Sequence, residues 1–218
     1  MVKASKIDQL SDRVLRELLK KHDCPLVFHE LRAHIMGTIS TPDMDVAPMQ
    51  ELTRIWGGEL PEFASQEDAQ LLVTGIMGGL WNPLSKHQSR TNPFRLMRVK
   101  STPPSYEYLA KLSKFRREEI DAFIDGLFAG KDYQEFPETA HKAIENLSQI
   151  RSIVAGAHEL CACPPATASK DQLKETLENL RNLFTAAESE INVVIQACKT
   201  ARAEMLETYA LEKPPTVH

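Results

Sequence analysis

The sequence predicts an all-α protein: a compact multi-helix bundle over residues 1–163, then one long helix within 164–218. Three observations carry that expectation. Apolar residues recur at three- and four-residue spacings through most of the chain, the signature of helices with one buried face. Aromatic residues make up only 6% of the 218 positions, and β-branched residues rarely alternate as half-buried strands require. Between 169 and 211 there is no proline and no glycine.

Ile7, Leu10, Val14, Leu15, Leu18 and Leu19 place a first helix at about 6–22. Asp23 and Pro25 read as a stop and a restart, since aspartate caps and proline suits a first helical turn. A second helix then carries Leu26, Leu31, Ile35 and Ile39 inward, and Thr41-Pro42 breaks it. Pro48 opens a third, with Leu52, Ile55 and Trp56 inward and Gly57-Gly58 as its stop. Ser65 caps a fourth, with Asp68 three residues on as in a capping box, and Asn82-Pro83 should end it. Gly75, Gly78 and Gly79 inside that helix each cost about 1 kcal/mol relative to alanine. Close approach of a second helix is the expected reason.

Residues 86–104 are polar and proline-punctuated, a linker or long packed loop. A short helix near 106–112 and another over 116–128 follow, the latter with Ile120, Phe123, Ile124, Leu127 and Phe128 inward. Pro137 starts the next helix, and CACPP at 161–165 ends it.

The last helix carries a seam in four-three alternation: Leu173, Leu177, Leu180, Phe184, Ala187, Ile191, Val194, Cys198, Ala201, Met205 and Thr208. In a parallel dimer the flanking pairs would be Thr176 with Arg181, Leu183 with Glu188, Glu190 with Ile195, Ala197 with Arg202, and Glu204 with Tyr209. None is an ion pair. Leu183 and Ile195 also widen the stripe, so the sequence favours packing on the chain's own body or on an antiparallel partner.

Composition narrows the class. No run approaches the roughly 18 apolar residues a membrane span needs, and no signal-peptide core opens the chain. Four cysteines, Cys24, Cys161, Cys163 and Cys198, are too few for a disulfide framework, so a cytoplasmic location is expected. No glycine-rich phosphate loop follows a strand, and no serine or cysteine sits in a nucleophile elbow. No catalytic residue is assigned.

Two clusters remain. His158, Cys161 and Cys163, spaced H-x2-C-x-C and joined by His22 and Cys24 if the segments meet, could supply the four ligands zinc prefers. Two incidental cysteines at a helix end are the simpler reading. Glu30 and His34, four apart, share a helix face and suit a surface pair. The second cluster is electrostatic. Lys86, Arg90, Arg95, Arg98, Lys100, Lys111, Lys114, Arg116 and Arg117 stand in a segment with one acid, Glu107. That is +8 over 86–117 in a chain of net charge −4, leaving −12 elsewhere. Such segregation suits an acidic partner, nucleic acid included, or a loop folded onto the protein's own acidic surface.

Several residues carry a family resemblance. They are Leu31 and Gly37, Val46-Ala47-Pro48, Trp56-Gly57-Gly58, Pro61-Glu62-Phe63, the SQEDAQ helix leading to Trp81-Asn82-Pro83-Leu84, and FRREEIDAFIDGLFAG at 115–130. Over roughly 7–155 the chain resembles the YecA/YgfB-like family of small bacterial proteins. The resemblance implies a helical, cytoplasmic protein with no established catalytic residues. Longer members end in a zinc-binding tail that begins Cys-Pro-Cys-Gly-Ser-Gly. Here Cys161-Ala162-Cys163 runs into Pro164-Pro165, and that tail is absent. The expected function is therefore a non-enzymatic protein-interaction or regulatory role, with the long last helix meeting another protein or a second copy. Nucleic-acid binding through 86–117 and a small zinc site are the alternatives.

Overall fold

A computed structural model describes residues 11–164 and 169–212; the expected helical residues 6–10, Pro165 and the tail beyond 212 lie outside them. All regular structure among the described residues is helical. Helix α1 (Asp12–Lys21) starts where Ser11 Oγ accepts from the Val14 N–H, and it buries Leu15, Leu18 and Leu19. It ends through Asp23 in the left-handed conformation (φ 46°), so Asp23 closes α1 rather than capping the next helix. That next helix, α2 (Phe28–Ser40), begins three residues after Pro25, leaving Leu26 in the link.

Helix α2 is the centre of the bundle. Among its residues only Glu30, Arg32 and His34 keep appreciable solvent contact. Its main neighbour is α6 (Tyr106–Phe128), which runs parallel to it. The two backbones touch at a pair of glycines. A Cβ on Gly37 would lie 2.1 Å from Phe123 O, and one on Gly126 would lie 2.1 Å from His34 O. No side chain fits at either place, so the close helix approach that the sequence suggested for 75–79 occurs at 37 and 126.

Helix α3 (Pro48–Ile55) ends through Gly57 (φ 81°) and Gly58 (φ 111°), with Gly58 N–H donating to Thr53 O. Helix α4 (Gln66–Ile76) is capped by Ser65 Oγ accepting from Asp68 N–H at 3.2 Å. The glycine stretch then widens into a π turn over Met77–Trp81, with Asn82 N–H reaching back to Met77 O. The widened turn resets the helix, so Pro83 stands in the first turn of α5 (Asn82–Ser85). Its missing N–H does no harm there, and the rod continues through a 3₁₀ turn at Lys86–Gln88 instead of stopping at Asn82-Pro83.

Helix α6 is continuous where two helices were expected. Ser105 Oγ caps it through Tyr108 N–H, nothing at 113–115 interrupts its hydrogen bonding, and Ala129 and Gly130 end it in left-handed conformations. Helix α7 (Glu138–Ala162) packs antiparallel to α6, with Arg151 paired to Asp121 and His158 Nδ1 3.0 Å from Ala110 O. Helix α8 (Lys170–Glu212) returns along α7. Its 43 residues span roughly 65 Å at 1.5 Å per residue.

The seam of α8 is buried by the chain's own body. Leu177, Leu180, Phe184, Ala187, Ile191, Val194, Ile195 and Cys198 all enter the core. Beyond Cys198 the burial lapses: Met205, Leu206, Tyr209 and Leu211 are exposed.

Candidate binding surfaces beside the last helix

Residues 89–105 form a strap against α6 and α8, a turn at 89–92 followed by irregular chain, and among the described residues no strand satisfies its backbone. Side chains do so instead. Phe94 N–H donates to Asn192 Oδ1 (2.8 Å), while Asn192 Nδ2 donates to Phe94 O (2.9 Å). Leu96 N–H donates to Glu188 Oε1 at 3.0 Å, and Met97 N–H to Glu119 Oε1 at 2.9 Å. Arg116 donates to Met97 O (2.6 Å) and pairs with Glu119. Buried backbone groups left unpaired would cost about 1–3 kcal/mol each, so these side chains fix where the strap lies. Burial pushes the Glu119 carboxyl above its ordinary value, and Arg116 opposes that shift.

This arrangement answers where the basic segment goes. Arg116 is buried on Glu119 and leaves the surface set. Lys114 pairs with Glu118 (3.7 Å) and Arg117 with Asp121 (3.4 Å), both one turn further along α6. Arg95 pairs with Glu188 of α8 (2.8 Å), and Lys111 with Glu107 (2.6 Å). Three of these acids, Glu118, Glu119 and Asp121, begin one residue past the +8 window. Lys86, Arg90, Arg98 and Lys100 are exposed and make no ion pair among the described residues.

The proposed zinc ligands do not converge. His158 Nδ1 is directed at Ala110 O, Cys161 is buried, and Cys163 is exposed. Among the described residues, the one group of three potential ligand atoms within 4.8 Å of one another is His29, Glu30 and Glu118. There His29 Nε2 lies 3.0 Å from Glu118 Oε2, its ring stacked 3.9 Å from Phe115. Glu30 accepts from the Val27 N–H at 2.9 Å and so starts α2 rather than pairing with His34. His34 Nε2 instead meets the fully buried Glu51 at 2.6 Å, and Arg54 neutralises the same carboxylate. These acids therefore serve helix starts and ion pairs. Burial also pushes Cys24 up to about 11 and Cys198 up to about 12, which keeps both as neutral thiols.

An open concavity lies on the side of α8 turned away from most of the seam. Thr185, Ser189, Val193 and Ala197 form its floor at four-residue steps, and Ala201 of the seam adds to its far end. Pro93, Arg90 and Arg95 of the strap make one wall, and Pro137 and Thr139 at the start of α7 stand opposite. The open trough encloses about 810 Å³. From Thr185 to Glu204 its floor runs roughly 29 Å. Nothing in the sequence marked it, because its walls come from segments some 50–100 residues away in the chain. Compared with known proteins, the chain matches no family model, no curated protein and no solved structure.

Proposed function

We propose that this is a non-enzymatic interaction protein that docks an amphipathic helix of a partner protein in the trough along α8. The observation that carries the reading is the division of one helix into two faces. The seam is committed to the core, while the opposite face is floored by small residues and left open. Small floor residues let a docked helix approach closely, as helix-in-groove recognition requires. The trough is long and open for a small molecule, and it leads toward the exposed Met205, Leu206 and Tyr209. Those side chains would extend the apolar contact. The YecA/YgfB-like resemblance, with no established catalytic residues, agrees with a binding role.

A photo-crosslinking residue at Ser189 should capture a partner through one amphipathic helical peptide, and Ala197→Arg should abolish that capture without unfolding the protein. Crosslinks that survive Ala197→Arg would refute the trough. Crosslinks only to a second copy would replace the partner protein with self-association.

Nucleic-acid binding is the second reading, favoured by Lys86, Arg90, Arg98 and Lys100, which are exposed and make no ion pair among the described residues. It requires affinity that falls steeply with salt. No shift with single- or double-stranded DNA or RNA at low salt would end it.

A further inference from the structure

A second cleft, independent of the α8 trough reading, opens where α1, α2, the π turn and the strap meet. It encloses about 540 Å³, within the range of small-molecule sites. Phe28, Leu80, Leu84, Leu96 and Met97 give it apolar walls, and Gly79 of the π turn adds no side chain to narrow it. Its polar groups are Arg32, His87, Arg95 and Arg98, with one acid, Asp12.

Arg32 is the informative residue. Its guanidinium lies 4.4 Å over the Phe94 ring, and one N–H donates to Arg95 O at 2.9 Å. No carboxylate lies within ion-pair distance of it among the described residues. Other well-covered arginines of this protein are differently supplied. Arg116 has Glu119 and Met97 O, Arg54 has Glu51, and Arg202 has Ile39 O, Thr41 O and Gln88 Oε1. Arg32 is thus a half-buried cation held by one acceptor and one aromatic ring, with no ion-pair partner among the described residues. Burial draws its pKa below the ordinary arginine value, with Glu119 and Asp12 opposing from a distance.

Most of the charged side chains lining the cleft have the same sign. Arg16 lies 4.1 Å over Phe28, and the exposed Arg98 makes no ion pair among the described residues. Arg95 is partly offset by Glu188. His87 holds Nδ1 3.0 Å from Asn92 O, which fixes its ring.

We propose that this cleft binds a small organic anion, a carboxylate or phosphate monoester on an apolar or aromatic body, with Arg32 as the fixed anion contact and Arg98 as the second. A guanidinium offers paired N–H donors to either head group, and the apolar walls strengthen that attraction by excluding water. The same walls take the body of the ligand.

Calorimetric titration of the full chain at low salt tests this with phenyl phosphate, benzoate, inorganic phosphate and benzyl alcohol. At least one aryl anion should bind about 10-fold or more tighter than both inorganic phosphate and benzyl alcohol. Phenyl phosphate against benzoate then identifies the head group. Arg32→Gln should weaken the preferred ligand about 10-fold, Arg98→Gln several-fold, and Asp12→Asn should tighten it. Lys174→Gln, on the exposed start of α8, should change nothing. Arg32 also holds the strap, so thermal unfolding accompanies that variant; if it does not fold, Arg98→Gln and Asp12→Asn decide. No saturable binding of any probe by about 10 mM would overturn the proposal. Affinity that ignores both Arg98→Gln and Asp12→Asn would overturn it equally.

Discussion

The two faces of α8 are built from the same helix and the same stretch of sequence, yet they do opposite work. The seam face is closed by large side chains from the rest of the chain: Leu180, Phe184, Ile191, Val194 and Ile195 are almost wholly withdrawn from solvent. The trough face keeps small or half-buried residues, among them Val193 and Ala197, beneath an open concavity. One helix can therefore anchor to its own body and still offer a surface. Stability should reside in the first face and recognition in the second.

The largest expected effect lies on the seam. Ile191→Ala removes three buried carbons from a fully enclosed site and should cost about 2–5 kcal/mol. Chemical denaturation measures it, and a loss under about 1 kcal/mol would mean that the seam is loosely packed. Asn192→Ala comes next. It strands the Phe94 N–H and C=O and should cost about 1–3 kcal/mol, seen also as faster amide exchange in the strap. Unchanged exchange at Phe94 would detach the strap from α8.

Thiol chemistry sharpens the same contrast without mutation. Cys198 is buried on the seam with its pKa pushed up to about 12, so at pH 8 only about one in ten thousand is thiolate. Its folded value stands above the ordinary thiol value, so the folded protein holds that proton to higher pH than the unfolded chain. Native-state alkylation followed by mass spectrometry should label the exposed Cys163 first and Cys198 only on unfolding. Equal rates would place Cys198 at the surface. The smallest effect belongs to the trough: Ala197→Arg, at a half-buried floor position whose side chain can reach water, should cost no more than about 1 kcal/mol.

Local features of this fold were legible because their causes are local. Ser65, Pro48, Pro137 and the Gly57-Gly58 pair mark helix ends through their own backbone and side-chain chemistry, and the seam declares α8 through its period. Contacts made across the chain were not legible. Gly37 and Gly126 pack together from 89 residues apart, so the glycines that looked like packing devices, Gly75, Gly78 and Gly79, turned out to accompany a π turn. The basic segment looked segregated because Glu118, Glu119 and Asp121 stand just outside it. A helix returns those charges at i+3 and i+4, which a linear window does not see. The trough and the Arg32 cleft were hidden for one reason: both are shaped by the strap, and the strap is placed by Asn192 and Glu188, more than 90 residues away.

Val193 and Val194 give the most direct test of the central claim, because they are the same residue at adjacent positions, turned about 100° from one another around the helix. Val194 is fully buried in the seam, whereas Val193 lines the trough. Val194→Asp puts a carboxylate into the core and should lower the thermal midpoint by roughly 10 °C or more, whereas Val193→Asp, at a half-buried position with a path to water through the trough, should lower it by less than about half as much. Equal losses, or a larger loss for Val193→Asp, would contradict the division of α8 into an anchoring face and an open one.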